Sequence, residues 1–205
     1  MSEYDHEPTR GLPEALPEDE HIIWQGKPEW KKLAATALHI RLAVLYFALI
    51  AGVSLMRSDA NTAAAMVVFA VVVTGFLVLF AYGVDRTTVY TLTNKRIVLR
   101  IGVALNKCIN IPLSEIDTAN LKTLPGGSGS IVLTLKGLPR MGYLMLWPHA
   151  RSLRIVRPQP MLRAIPDAAR VARLLFNAAR EVQPVAPIAQ APVTVDEPEL
   201  EGLAA

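Results

Sequence analysis

The chain has 205 residues, and its single cysteine, Cys108, excludes an intrachain disulfide and a multi-cysteine metal site. Apolar residues make up 52% of it, against about 45–50% in soluble proteins, and the excess between Leu42 and Val84 indicates a membrane protein. The formal net charge is +3, but no recognition motif or aromatic-rich basic stripe accompanies it, so we expect no nucleic-acid partner.

Residues 1–20 are predicted to be disordered. They carry seven acids against one arginine, few apolar residues and three prolines. A secretory signal begins with basic residues and continues with an apolar run. Neither is present, so we expect the N-terminus to stay in the cytoplasm. Residues 21–32 form a pre-membrane segment, in which Ile22, Ile23 and Trp24 suit a short strand or a packed segment.

Two transmembrane helices are predicted next. The first, residues 33–56, has an uncharged core from Leu42 to Met56, and Arg41 can snorkel to the headgroups. The second, residues 62–84, carries no charge over 23 residues. Basic residues precede the first span and follow the second, so the positive-inside rule predicts a multi-pass protein with both termini in the cytoplasm.

Residues 85–181 are predicted to form a β-rich cytoplasmic domain, which makes the chain an α+β membrane protein. Residues 87–92 and 96–101 read as paired strands around a turn at residues 93–95. Further β-like runs lie at residues 107–111, 117–122, 131–136 and 143–147.

The domain is expected to end in a helix that begins at Pro166 and Asp167. Its apolar stripe covers an open end of the sheet and consists of Val171, Leu174, Leu175 and Ala178. Residues 182–205 are acidic and rich in proline, which predicts a disordered tail.

The stretch Tyr90-Thr91-Leu92-Thr93-Asn94-Lys95-Arg96-Ile97 resembles the opening hairpin of bacterial PH-like domains that lie beside membrane helices. The segment Ile23-Trp24-Gln25-Gly26-Lys27-Pro28 is similar to their pre-membrane motif. The whole arrangement most resembles the PuhB-type photosynthetic complex assembly proteins of purple bacteria. That likeness covers most of residues 6–181 and rests on residues 6–8 (His-Glu-Pro), residues 11–14 (Gly-Leu-Pro-Glu), and His39 with Arg41.

The resemblance implies a two-helix transmembrane hairpin in the bacterial inner (intracytoplasmic) membrane. A PH-like β-sandwich or barrel follows the hairpin on the cytoplasmic side. It further implies an assembly factor for the photosynthetic reaction centre and its light-harvesting antenna. The implied client is the reaction-centre H subunit or another subunit of these complexes. Two alternatives stay open: a general membrane-surface module that binds lipid or protein, and a membrane-bound enzyme.

No catalytic set and no metal site is predicted. The four histidines lack metal-ligand spacing and a nucleophile–acid pair beside them. The basic domain next to a membrane predicts contact with lipid headgroups or an acidic partner. The candidate partner- or lipid-binding residues are Trp24, Arg151, Arg154 and Arg157. The three arginines recur every third position among apolar residues, which we expect to hold them on a strand or an edge segment. The alternative is a solvated edge.

His39 is a candidate contact for bacteriochlorophyll, because small residues precede it by one helical turn, as in antenna polypeptides. The alternative is an interfacial histidine beside Arg41. No other cofactor is expected. A homo-oligomer is a further candidate state. Small residues in the two spans also permit close helix packing. They are Ala48, Ala51, Gly52, Ser54 and Gly75.

Overall fold

A computed structural model of the chain describes residues 11–12, 14–103, 106–137, 142–152 and 154–182. Within them the elements follow in this order: β1 (Ile22–Gly26), α1 (Trp30–Thr36), α2 (Ile40–Met56), α3 (Ala60–Thr87), β2 (Val89–Thr93), β3 (Arg96–Ile101), β4 (Lys107–Pro112), a 3-10 turn (Leu113–Glu115), β5 (Ile116–Thr123), β6 (Gly129–Leu135), α4 (Tyr143–Leu146), β7 (Met161–Ile165) and α5 (Ala168–Val182). The disorder predicted for residues 1–10 and 183–205 lies outside the described residues.

Two antiparallel sheets form the domain, one in the order β1-β2-β3-β4 and the other in the order β5-β6-β7. Alternate side chains of both sheets enter one core, as the period of a strand requires. Core residues from the two sheets include Leu92, Leu99, Ile111, Leu133 and Leu162, all at most 2% exposed. The domain therefore has the α+β sandwich architecture expected from its β-like runs.

α5 closes this core. Val171, Leu175 and Ala178 on one side of the helix are buried with the strand residues, while Arg173 and Asn177 are exposed. The helix begins at Ala168, two residues after Pro166. The predicted capping helix and its apolar stripe are confirmed.

α2 and α3 form a helical hairpin outside the domain. The Asp59 side chain accepts a hydrogen bond from the Thr62 N–H (3.0 Å) and caps the start of α3. α3 has 28 residues and only 6% of its most apolar window is buried. A core helix of a soluble domain is mostly buried, whereas α3 exposes its apolar side chains and is long enough, at about 42 Å, to cross a membrane.

The buried residues of the hairpin are small, because closely packed helices leave little room between them. Ala51, Ser54 and Ala63 are each at most 8% exposed. Gly52 and Gly75 are different, since a Cβ atom at either position would meet no other atom within 4 Å. The prediction of close packing therefore fits Ala51 and Ser54 but neither the two glycines nor Ala48, which is exposed.

The prediction of one continuous helix over residues 33–56 is wrong. α1 ends at Thr36, α2 begins at Ile40, and the two helices are bent by 54°. His39 has a φ of 51°, the left-handed conformation that interrupts a right-handed helix. The physical reason lies in Leu33 and Ala34, which are buried with Ala81 and Val84 of α3 and Ala164 of β7 and hold α1 away from the direction of α2.

Four more features differ from the sequence-based expectations. Leu12 and Glu20, inside the segment expected to be disordered, are buried. The domain predicted for residues 85–181 takes its first strand, β1, from the pre-membrane segment. The run predicted as a strand at residues 143–147 is the short helix α4. β7 is not predicted by the sequence, because Arg163 interrupts its apolar pattern.

Candidate functional site

α1 is held at both ends by neighbouring residues of β7. The Glu29 N–H donates to the Ala164 carbonyl oxygen (2.8 Å) at the start of the helix. At its end, the Thr36 carbonyl oxygen accepts from Arg163 Nη1 (3.5 Å). Between these points Leu33, fully buried, packs in a cluster with apolar residues of α3. α1 therefore attaches the domain firmly to the last turns of α3.

An ion pair strengthens the same junction. Lys27 Nζ lies 3.1 Å from Asp85 Oδ2 and joins the segment after β1 to the last turn of α3. The Asp85 side chain is 9% exposed and the Lys27 side chain 56% exposed, so the lysine remains open to solvent. The pair borders an open cleft of about 400 Å³ lined by Lys27, Pro28, Glu29, Trp30, Lys31, Asp85 and Pro166.

A buried polar network lies next to the junction. The Arg163 N–H donates to Tyr90 Oη (3.3 Å), and the same oxygen is hydrogen-bonded to His149 Nδ1 (2.6 Å). His149 Nε2 lies 3.2 Å from Thr88 Oγ1, and Arg163 Nη2 donates to the Ala150 carbonyl oxygen (2.8 Å). These contacts link β2, β7 and the segment that follows α4.

The network contains one charge. Burial, and to a smaller extent the nearby Arg163 guanidinium, lowers the pKa of His149 to about 3. Burial also raises the pKa of the Tyr90 hydroxyl and lowers the pKa of Arg163. At neutral pH both rings are therefore uncharged. Because Tyr90, His149 and Arg163 are all less than 5% exposed, the network stabilises the junction and offers no surface to a ligand.

The three predicted arginines lie on one loop between α4 and β7. Arg151, Arg154 and Arg157 are exposed, and Arg151 Nη1 donates to the Gln159 side chain (3.2 Å). Two apolar residues between them are exposed as well, Ile155 at 69% and Val156 at 91%. The expectation of a strand or packed edge is wrong, because these apolar side chains face outward together with the arginines. We call residues 151–157 the arginine loop.

α4, which precedes the arginine loop, lies beside α3. The Trp147 ring stacks on the Phe80 ring with their centroids 5.3 Å apart, yet Trp147 is 45% exposed. Leu144 is 89% exposed. Val103, in the segment after β3, also lies against α3, because a Cβ atom at Gly83 would be 3.2 Å from Val103 Cγ1.

Residues 38–179 match the family model of the bacterial PH domain. This match spans more than half of the chain. The chain belongs to the bacterial PH domain family. Its α+β fold is thus of the PH-like class that the sequence predicts.

Two further proteins are similar to this bacterial PH domain protein. An uncharacterized 23.7 kDa protein in the puhA 5′ region of Rhodobacter capsulatus is 39% identical over 188 residues, which cover 87% of this chain and 88% of that protein. The crystal structure of a DUF1696 family protein with a pleckstrin-homology domain from Shewanella loihica PV-4 gives a TM-score of 0.30 at 16% identity. That alignment covers 45% of this chain and 70% of the other, and it is too weak to carry an argument.

β1 adds to the PH domain a strand that lies before the matched residues. Trp24 on this strand is half-buried against the core. Its ring lies across Gly26, since a Cβ atom there would be 2.3 Å from Trp24 Cζ2. Packing explains the Trp-Gln-Gly spacing, and a contact between Trp24 and a partner stays a prediction.

The turn between β2 and β3 of the PH domain binds the segment before β1. Arg96 donates from Nε and Nη2 to the two carboxylate oxygens of Glu20 (2.8 and 3.0 Å), and Thr93 Oγ1 donates to the same carboxylate (2.8 Å). Lys95 pairs with Asp19, and Asn94 Oδ1 accepts from the His21 N–H (3.0 Å). The Thr-Asn-Lys-Arg motif that carries the family resemblance therefore has a structural role.

His39 lies at the break between α1 and α2. Its ring is exposed, with Nδ1 3.2 Å from the Ala37 carbonyl oxygen. The small residues one turn earlier belong to α1, so they do not form one helical surface with the His39 ring as they do in an antenna polypeptide. Contact with bacteriochlorophyll stays a prediction.

Sequence reasoning missed the network of Tyr90, His149 and Arg163. Tyr90 is 59 residues from His149 and 73 residues from Arg163, so no local spacing joins them. The one signal was an arginine inside the apolar run of β7. Among the described residues, no three His, Cys, Asp or Glu side chains come together in a way that would hold a metal ion.

Proposed function

We propose that this bacterial PH domain protein is a membrane-anchored assembly factor. It would assist biogenesis of the photosynthetic reaction centre and its light-harvesting antenna by binding a client subunit. The observation that carries this proposal is the attachment of the PH domain by α1 to the base of an exposed apolar helix. The name of the Rhodobacter capsulatus relative, in the puhA 5′ region, links such a protein to photosynthesis genes and supports the PuhB type.

The strand order supports an anchor with two spans. β1 precedes the helices and β2 follows them, yet Ile22 pairs with Thr93 and Gly26 pairs with Tyr90. Strands that share backbone hydrogen bonds lie on the same side of a membrane, so the chain between them crosses it an even number of times. If α3 crosses, a second crossing is required, and α2 is the other apolar helix in that interval.

The length of α2 is compatible with that role. Its 17 residues extend about 26 Å, slightly less than the hydrocarbon core of about 30 Å. Local thinning of the bilayer and snorkelling of Arg41 accommodate a short span. The basic domain and the basic residues before α2 favour the cytoplasmic face of the inner membrane for the PH domain and both termini.

The proposed clients are the reaction-centre H subunit and the other reaction-centre and antenna subunits. Two kinds of surface are available beside the membrane. The outer faces of α2 and α3 expose large apolar side chains, among them Leu45, Leu49 and Phe76. The arginine loop carries exposed positive charge, which steers acidic partners and anionic surfaces.

The test is complex yield in cells. A strain without the gene should assemble less reaction centre–antenna complex, and the parent chain should restore the yield. A variant with Arg151, Arg154 and Arg157 changed to Ser should restore less. The matched control changes Arg170, Arg173 and Arg180, which are exposed on α5, to Ser and removes the same charge. This control should restore the parental yield.

Co-purification provides the second measurement. The tagged parent chain, extracted from photosynthetically grown membranes, should retain a reaction-centre or antenna subunit. An unchanged complex yield without the gene, together with no retained subunit, would overturn the proposed function. That result would leave the alternative of a general membrane-surface module, which the exposed Ile155 and Val156 favour. We propose no enzymatic activity.

A further inference from the structure

One long part of the domain carries positive charge alone. Between Asp117 and Asp167 the sequence contains no Asp or Glu, but it contains seven basic residues: Lys122, Lys136, Arg140, Arg151, Arg154, Arg157 and Arg163. The arginine loop lies in this interval and is exposed. Its surroundings in the sequence thus supply no acid to neutralise it, and an anionic surface is the complementary ligand.

Two segments of the domain reach the uncharged part of α3. From the apolar middle of α3 toward its C-terminus, the first charged residue is Asp85. Phe80, which stacks on Trp147, lies five residues earlier, about 7 Å further into the apolar part of the helix. Val103 contacts the helix at Gly83. With α3 in a bilayer, Trp147 would lie at the headgroup level, where partly exposed tryptophans are enriched.

The arginine loop also begins at the headgroup level expected for Trp147. Ala150 directly precedes the loop, and its carbonyl oxygen accepts a hydrogen bond from the Arg163 guanidinium. The same guanidinium donates to the carbonyl oxygen of Thr36, the last residue of α1. α2 begins four residues after Thr36. The loop therefore starts beside the point where the chain turns into the helical hairpin.

We propose that α4 and the arginine loop form a membrane-inserting edge of the PH domain. Leu144, Ile155 and Val156 would enter the acyl boundary of the bilayer beside Trp147. Arg151, Arg154 and Arg157 would bind the phosphates of anionic lipids. The inference rests on the membrane anchor of the proposed function, but it requires no client subunit.

The order of residues favours a lipid surface over an acidic protein. The tip places two highly exposed aliphatic residues between Arg154 and Arg157, which is the arrangement of an interfacial segment with apolar side chains below and basic side chains at the headgroups. An acidic protein surface would pair the arginines but leave Ile155 and Val156 against polar groups. Anionic lipid satisfies both kinds of side chain.

The experiment uses the full chain reconstituted in vesicles without any client. In a Cys108→Ser background, Val156→Cys is labelled with an environment-sensitive fluorophore. Glu115→Cys is the matched control, because Glu115 is exposed and its 3-10 turn is joined to the turn between β2 and β3, at the end of these strands away from α3, by the Leu113 N–H, which donates to the Lys95 carbonyl oxygen. The vesicles contain phosphatidylcholine alone or phosphatidylcholine with phosphatidylglycerol.

We expect the label at position 156 to be quenched by doxyl lipids and shielded from aqueous iodide, more strongly with phosphatidylglycerol. The label at position 115 should show the opposite quenching. Changing the three loop arginines to Ser should remove the gain from phosphatidylglycerol. Equal iodide quenching at positions 156 and 115 would overturn the inference, and so would shielding that develops only when photosynthetic membrane proteins are added. An unchanged complex yield in cells without the gene, together with no retained subunit, would be a separate failure, of the proposed function alone.

Discussion

Glu20 and Asp19 are adjacent acids that pair with the adjacent bases Arg96 and Lys95, but only one of the two pairs is buried. The Glu20 side chain is 3% exposed and receives two hydrogen bonds from Arg96 and one from Thr93. The Asp19 side chain is 72% exposed and Lys95 is 47% exposed. Glu20→Ala and Asp19→Ala therefore form a matched pair of perturbations.

The expected cost of Glu20→Ala follows from this geometry. Removing one partner of a buried ion pair costs about 3–5 kcal/mol. The Arg96 side chain is 33% exposed, so it regains water when its partner is lost. We therefore expect a loss near the lower limit, about 3 kcal/mol, for the docking of the segment before β1. At 1.4 kcal/mol for each factor of ten, this is roughly a 100-fold change in the local opening equilibrium.

Hydrogen exchange measures this opening directly. In the full chain, amides of β1 should exchange roughly 100-fold faster in Glu20→Ala than in the parent, while amides of the central strand β6 should be unchanged. Asp19→Ala should leave both strands at the parental rates, because exposed ion pairs contribute little. Equal acceleration by the two variants would refute the assignment of the docking energy to the buried pair.

Three other substitutions test separate parts of the structure. The pKa of His149 falls from 6.5 to about 3 on folding, so the unfolded chain binds the proton first and the free energy of unfolding decreases below about pH 6.5. The decrease should reach about 2 kcal/mol at about pH 5. Thermal unfolding should show it in the parent chain and not in His149→Gln. Gly26→Ala should displace the Trp24 ring and cost about 1–3 kcal/mol, with a shift in tryptophan emission, whereas Gly52→Ala should be silent. Val72→Arg should impair insertion of α3 by about 2.5–3.5 kcal/mol, and unchanged membrane integration would contradict a span there.

Local patterns predicted the elements whose causes are local. The alternating residues of β2 and β3, the turn at Asn94 and the apolar stripe of α5 are all confirmed. Each depends on the period of a strand or helix and on residues within a few positions. The uncharged run of α3 is equally local and is confirmed as a long apolar helix.

Long-range contacts decided the features that the sequence did not show. Leu33 looks like part of a span because its apolar side chain suits lipid, but the domain buries it and the helix breaks at His39. Arg163 looks incompatible with a buried strand until Tyr90, Ala150 and Thr36 supply its partners. The arginine loop reads as a strand or edge segment by composition, yet Ile155 and Val156 remain exposed.

The place of β1 joins insertion of the hairpin to closure of the sheet. β1 is synthesised before the helices and pairs with β2 only after the chain has passed through both of them. In a hairpin with two spans, a failure of α3 alone would leave β1 and β2 on opposite sides of the membrane. The sheet would then lose its edge strand, and Arg96 would lose Glu20. A PH domain built in this order is complete only when its own anchor is in place, which suits the proposed role of binding other subunits at the membrane surface.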